Sequence, residues 1–283
     1  MSSLFAALSA LAYGAADYAG GHATRFRTVR IVLLVSQSVG LAGIVLVIVV
    51  GRQAIPDVRD LVWGAAAGLA GVLGLATLYR GLARGAAAIV SPTAALVGTA
   101  APILAGVLLG EEPALASWIG IGLALPAIGL LSLAKDRHRR LDALSLAAGV
   151  LAGLGFGAFF ILIDQTAADS GFWPLAASRV ASLTVVAFAG LLRPRARRSA
   201  QPLQPDRGRI PGTAIVAGVL DMAANVFFLL AARTGLLITS AVISSLYPAP
   251  TVLLARVLDR QRLGPRRLAG FVLALAAGAL MVV

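Results

Sequence analysis

Asp221 and Asn225 stand four residues apart in a run, 212–232, that carries no other charged side chain. That separation places both on one stripe of a helix. An Asp near the middle of a membrane-spanning helix costs roughly 2.5–3.5 kcal/mol on insertion scales, so it is expected to face protein or a water-filled cavity. Arg179 lies seven residues into the run 172–192. At ~1.5 Å of rise per residue it sits about as deep as Asn225, and Asp221 about 6 Å deeper. An extended arginine covers that difference, so an Arg179–Asp221 ion pair is predicted. Asp17 and Gln37 share a depth nearer the opposite surface, and the same arithmetic predicts an Asp17–Gln37 pair. In SSLYPAP (244–250) two prolines free backbone carbonyls, and Ser244 and Tyr247 place donors at that depth. Intramembrane polar groups of this kind mark solute paths and proton relays, and these seven residues are the candidate substrate-binding set. The alternative for Arg179–Asp221 is a permanent pair that only fixes helix packing, whose disruption would mainly destabilise the protein.

Other chemistry finds little support. There is no cysteine, and the two histidines, His22 and His138, fall in connecting segments, which excludes a Cys- or His-based metal centre. No GxxxxGK[ST] phosphate loop occurs, and the sole lysine, Lys135, lies in a loop, so ATP-driven pumping is unsupported. No paired Asp-rich motif points to prenyl transfer. His138 and Asp142 sit four apart but among arginines, as a solvated loop would. Glu111-Glu112 falls at a span boundary and reads as capping the membrane edge. Neither cofactor nor metal is expected, and an enzyme is not.

The elements that must position the polar residues are apolar and helical. Of the 283 residues 59% are hydrophobic and 13% charged, against about 25% charged in soluble domains. Ten apolar runs can be marked: 4–21, 31–50, 61–79, 86–109, 114–134, 143–163, 172–192, 212–232, 236–258 and 268–283. They lack two-residue alternation, and only helices or closed barrels satisfy the backbone in lipid. The fold class is therefore all-α integral membrane, with ten transmembrane helices. The N-terminal run lacks a basic n-region and carries Asp17, so it reads as a retained span. Glycines at 64, 68, 71 and 74, and at 149, 153, 155 and 157, predict close helix packing. Trp63, Trp118 and Trp173 read as interfacial anchors. Pro92 and Pro102 bend the fourth run as Pro248 and Pro250 bend the ninth.

The segment 135–142, KDRHRRLD, is the midpoint. It divides the chain into a five-helix repeat at 1–134, a basic linker and a second five-helix repeat at 143–283. With an offset of 150, Gly85 matches Gly235, Leu96 matches Leu246 and Gly120 matches Gly270. Near 142, Ser36-Gln37 lies opposite Ser178-Arg179, and near 143 Tyr13-Gly14 lies opposite Phe156-Gly157. Five spans per half force the second half to insert upside down, the inverted-repeat architecture of many secondary transporters.

The net charge of +12 comes from arginines between the spans, with no aromatic-interleaved groove, so nucleic acid is not expected as a partner. Loops after the odd-numbered runs carry Arg25, Arg27, Arg30, Arg80, Arg84, Arg137, Arg139, Arg140, the 193–209 cluster, Arg260, Arg262, Arg266 and Arg267. Loops after runs two, six and eight offer Arg52, Arg59 and Arg233, and the loop after the fourth has Glu111 and Glu112. The positive-inside bias makes the first group cytoplasmic and leaves both termini outside.

At these residues the sequence resembles the ten-span EamA-like branch of the drug/metabolite transporter superfamily. YGAADYAGGHATR (13–25) is similar to that branch's first span, with Tyr13-Gly14 where Trp-Gly is usual. GLGFGAFFILID (153–164), GVLDMAANVFFLLAARTG (218–235) and SSLYPAPTVLLARVLDRQRLG (244–264) resemble its sixth, eighth and ninth. The likeness spans essentially the whole chain. Two features depart from it: Gln261 replaces the usual acidic residue after the ninth span while the first half keeps Glu111, and the family is drawn with both termini cytoplasmic. The resemblance implies a central cavity lined by spans 1, 3, 4, 6, 8 and 9, with contributions from 2 and 7, and peripheral spans 5 and 10.

The function expected is a secondary transporter, exporting a small metabolite such as an amino acid or related compound by alternating access, with proton coupling through its membrane carboxylates. In this reading Arg179 attracts a carboxylate or holds Asp221. The setting is the inner membrane, and the partners are a small-molecule substrate, the lipid bilayer and, compatibly, a second copy in a homodimer. The alternatives are a membrane enzyme or lipid-handling protein acting on an isoprenoid or acyl substrate, and an assembly subunit that transports nothing.

Overall fold

A computed structural model describes residues 1–83, 87–132, 142–191, 212–260 and 264–282. Residues 135–141 of the linker, the loop Arg193–Pro211, Arg84, Gly85 and Gln261 lie outside the described residues. Within that set the helices are α1 (Ser2–Ala23), α2 (Val29–Val50), α3 (Val58–Ala83), α4 (Ala87–Leu108), α5 (Leu115–Ser132), α6 (Ala143–Asp164), α7 (Trp173–Leu191), α8 (Gly212–Thr234), α9 (Leu237–Ser244), α10 (Pro248–Leu258) and α11 (Pro265–Val282). A short 3₁₀ turn, Ala168–Ser170, precedes α7, and no strand occurs among the described residues.

Local chemistry sets several boundaries. Asp142 caps α6, accepting 2.9 Å from the Ser145 amide and 2.7 Å from its hydroxyl, which satisfies a donor the helix leaves free. Among the described residues each of the ten apolar runs holds a helix, and only the ninth is broken. Pro248 and Pro250 have no N–H to continue the ladder. Between α9 and α10 the chain therefore tightens into i→i+3 bonds, Leu246 N to Ile243 O and Tyr247 N to Ser244 O. Thr251 answers with its amide and hydroxyl on the Tyr247 carbonyl, and the hydroxyl also donates to the Gly14 carbonyl of α1. The fourth run tolerates Pro92 and Pro102 without breaking.

Helices from the two ends of the chain interleave. α1 packs on α8 and α6 on α3; α2 packs on α8 and α7 on α3; α4 packs on α6, and α9 with α10 on α1. α2 faces α7, and α5 faces α11. Two glycines make this spacing possible. A Cβ at Gly68 would overlap the Ser178 backbone of α7, and one at Gly218 would overlap the Ser36 backbone of α2. Leucines, valines and isoleucines point outward along the bundle, among them Leu46, Val49, Leu104, Ile119, Leu151 and Leu275. Among the described residues seven helical stretches are long and apolar enough to cross a bilayer, the broken α9–α10 pair counting as one. α1, α7 and α11 are not among them: α1 carries Asp17 and several serines and glycines, the apolar part of α7 is shorter, and α11 opens on Arg266-Arg267.

Candidate functional site

Seven helices and the α9–α10 turn surround a cavity of about 260 Å³. Six of the seven expected residues line it: Asp17, Gln37, Arg179, Asp221, Asn225 and Tyr247. Arg179, nearly fully buried on α7, donates through Nη2 to the Asp221 carboxylate on α8. The expected ion pair is present. Through Nη1 the same guanidinium donates to Gln37 Oε1 on α2. Asn225 turns its amide back to the Asp221 carbonyl (2.6 Å) and accepts from the Tyr13 hydroxyl (3.0 Å). One polar chain thus runs from α2 through α7 and α8 to α1. Tyr13 then meets Tyr247 and Phe160 edge-on, each at 6.3 Å between ring centres.

Two placements correct the sequence reading. Gln37 pairs with Arg179 and not with Asp17. Counting residues fixes depth along a helix but not direction around it, and the amide oxygen went to the buried guanidinium, which has the greater need of an acceptor. Asp17 makes no hydrogen bond or ion pair among the described residues, and its side chain is exposed to the cavity. Ser244 does not reach the cavity: it is buried against α1, its hydroxyl 3.5 Å from the Ala6 carbonyl. Ser245, one residue on and within the turn, lines the cavity instead. A proline-broken helix changes which side chain faces inward, and a straight-helix projection could not register that. The reading also missed the aromatic wall, Phe156, Phe159 and Phe160 of α6, which FGAFF at 156–160 could have signalled.

The two ends of the cavity differ. The lining residues of α1, α3, α4 and α8, such as Asp17, Leu75, Leu78, Ala94 and Asp221, lie toward the end bearing the arginine-rich loops. There Tyr18 donates to Asp259 at 2.8 Å, and Arg25 pairs with the same carboxylate at 3.4 Å. Toward the end bearing the termini the cavity has a floor, where Phe160 stacks on Phe228 at 4.2 Å above Ile163, Leu229 and Leu237. Polar ties lie beyond it. Glu111, after α4, accepts from the first two amides of α9, Leu237 at 2.6 Å and Ile238 at 2.8 Å. These are donors a helix start leaves unpaired, and they favour a negative charge. Asp60 accepts from Ala167, Gln53 from Phe172, and Arg233 donates to the Ser170 hydroxyl, all at 2.7–2.8 Å. Glu111 is therefore more than a membrane-edge residue: it joins the end of α4 to the start of α9.

The sequence matches the profile of the EamA-like transporter family over residues 1–133 and 143–283. No curated protein sequence matches the chain. Among solved structures, one described only as a crystal structure of a protein superposes with a TM-score of 0.75 at 16% identity, covering 99% of this chain and 95% of that one. At that identity the likeness concerns the fold.

Proposed function

The chain belongs to the EamA-like transporter family, within the drug/metabolite transporter superfamily, and from that premise we propose that this multi-pass membrane transporter exports a small metabolite by alternating access. The observation that carries the reading is a polar cavity inside an apolar helical bundle, with lining residues toward one end and a packed hydrocarbon cluster toward the other. In this reading the arginine-rich end is cytoplasmic, by the positive-inside bias, in the inner membrane. Lining residues such as Asp17, Leu75 and Asp221 lie toward that end, where export requires the solute to load. Its volume falls just below the ~300 Å³ at which pockets for drug-sized ligands begin, which favours a solute of amino-acid size. Asp17, Gln37, Arg179, Asp221, Asn225 and Tyr247 form the binding set, with Ser245 in place of Ser244. Asp17 and Asp221 are the groups that exchange a proton against the solute.

The same reading takes the chain as ten spans in two inverted repeats, 1–134 and 143–283, joined by the 135–142 linker. Matched contacts support it. Gly68 lies against Ser178 as Gly218 lies against Ser36, and these residues are related by the offsets of 150 and 142 visible in the sequence. Gln37 and Arg179, also 142 apart, touch each other where α2 faces α7, as equivalent residues at a two-fold axis would.

The test is counterflow. Proteoliposomes loaded with a small-metabolite extract are expected to exchange a restricted set of compounds faster than protein-free vesicles, with the rate changed by a pH gradient. Asp221→Asn is expected to reduce that exchange at least about tenfold, the effect of losing one strong polar contact. Equal leakage from both kinds of vesicle would dispose of the transporter reading, and indifference to pH would dispose of the proton coupling.

A further inference from the structure

Among the described residues lining the cavity three are charged: Asp17, Arg179 and Asp221. Arg179 is not free to receive an anion. Each of its two terminal nitrogens already donates to a protein acceptor, Gln37 or Asp221, and its Nε is buried without a partner and shielded from any solute. A carboxylate entering the cavity would compete with Asp221 for a guanidinium whose side chain is only 9% exposed. Arg179 and Asp221 therefore cancel, and the charge left facing the cavity is negative. Asp17 opens onto it without a partner among the described residues, and the Asp221 side chain remains 37% exposed beside its salt bridge.

The walls add a second, independent preference. Tyr13, one helical turn from Asp17 on α1, stands edge to face with Tyr247, and aromatic faces attract cations. The rest of the lining is largely apolar, with Phe156 and Phe159 of α6 and Leu75 of α3, while Phe160 of α6 meets Tyr13 edge-on. The cavity thus sets carboxylate, phenol and amide groups beside hydrocarbon. The basic loops do not reverse this preference, because their field is screened within about 8 Å at physiological salt.

We infer that the solute is a small amphipathic cation, a primary or substituted amine, with its ammonium between Asp17 and the tyrosines and its apolar end on the phenylalanines. This names the substrate class of the transport site proposed above and rests on that reading. It also replaces the expectation that Arg179 draws in a carboxylate.

The experiment is equilibrium binding to the purified full chain in detergent at physiological salt, with three probes on one skeleton: phenethylammonium, 3-phenylpropionate and 2-phenylethanol. The cation is expected to bind at least about tenfold more tightly than the anion or the alcohol, and Asp17→Asn to erase that preference while Asp17→Glu retains it. The ratio on the unaltered protein stands even if a variant fails to fold. Equal or tighter binding of 3-phenylpropionate or 2-phenylethanol overturns the inference, as does a preference that survives Asp17→Asn, or failure of the cation to bind. Because binding needs no vesicle, the two readings fail separately. Cation binding without counterflow would remove the transport reading alone, and counterflow of neutral or anionic metabolites without cation binding would remove the charge assignment alone.

Discussion

At the scale of single residues, the site is organised by the guanidinium of Arg179. A buried arginine with Asp221 and Gln37 on its terminal nitrogens is stable only while both acceptors remain, because an uncompensated buried charge is costly. Arg179→Ala is expected to lower stability by about 3 kcal/mol, the lower end of the range for broken buried pairs, since Asp221 keeps contact with the cavity. The double variant Arg179→Met with Asp221→Asn is expected to regain most of that loss, read as melting temperature in detergent. If the double variant melts no higher than Arg179→Ala, the ion pair is not what holds α7 to α8. Part of this was legible beforehand. Residue depth along two helices sufficed to pair Arg179 with Asp221, because both lie on strongly apolar runs where a charge has few alternatives. Gln37 and Ser244 were misplaced because direction around a helix depends on tilt and on breaks, which no count of residues supplies.

At the scale of helices, small residues decide how closely the polar stripes approach. Gly68 touches the backbone of Ser178, the residue before Arg179, and Ser182 on the same helix donates 3.0 Å to the Gly68 carbonyl. A methyl group at Gly68 meets backbone, which cannot swing aside as a side chain could. Gly68→Ala is therefore expected to cost about 1–3 kcal/mol as overpacking and to shift Arg179 out of register with Asp221. A thermal melt together with the probe-binding assay would read both effects. A variant that melts and binds like the parent would show that α3 and α7 have slack at this contact. The glycine pattern was visible in the sequence as a packing signal, but its partner helices were not. Spacing of four says that something approaches closely, whereas only the assembled bundle says that α7 approaches α3 and α2 approaches α8.

At the scale of the whole molecule, hydrocarbon and a few polar ties pack the end of the bundle that bears the termini. Glu111, like Asp60 and Gln53, ties the two halves of the chain together, its two oxygens taking the first two amides of α9. Gln at this position keeps one acceptor oxygen and no charge, so Glu111→Gln is expected to weaken closure by roughly 1–2 kcal/mol. The chain has no cysteine, which makes the measurement direct. A cysteine placed at Ala67, buried in the floor, is expected to react several-fold faster with a membrane-impermeant maleimide added from the terminal end when Glu111→Gln is also present. Unchanged labelling would mean that the phenylalanine floor closes that end without help from Glu111.

The sequence by itself determined that the protein is helical and membrane-embedded, that charge occurs in a handful of intramembrane positions, and that its two halves carry related patterns. Those properties follow from hydropathy, composition and spacing, which are local along the chain. The tertiary structure decided which polar group meets which, that Asp17 stands open while Arg179 is already occupied, and that one wall of the cavity is aromatic. These depend on the angle at which helices distant in sequence cross and on where prolines break them. Both are set by the packing of every helix at once and are written in no single stretch.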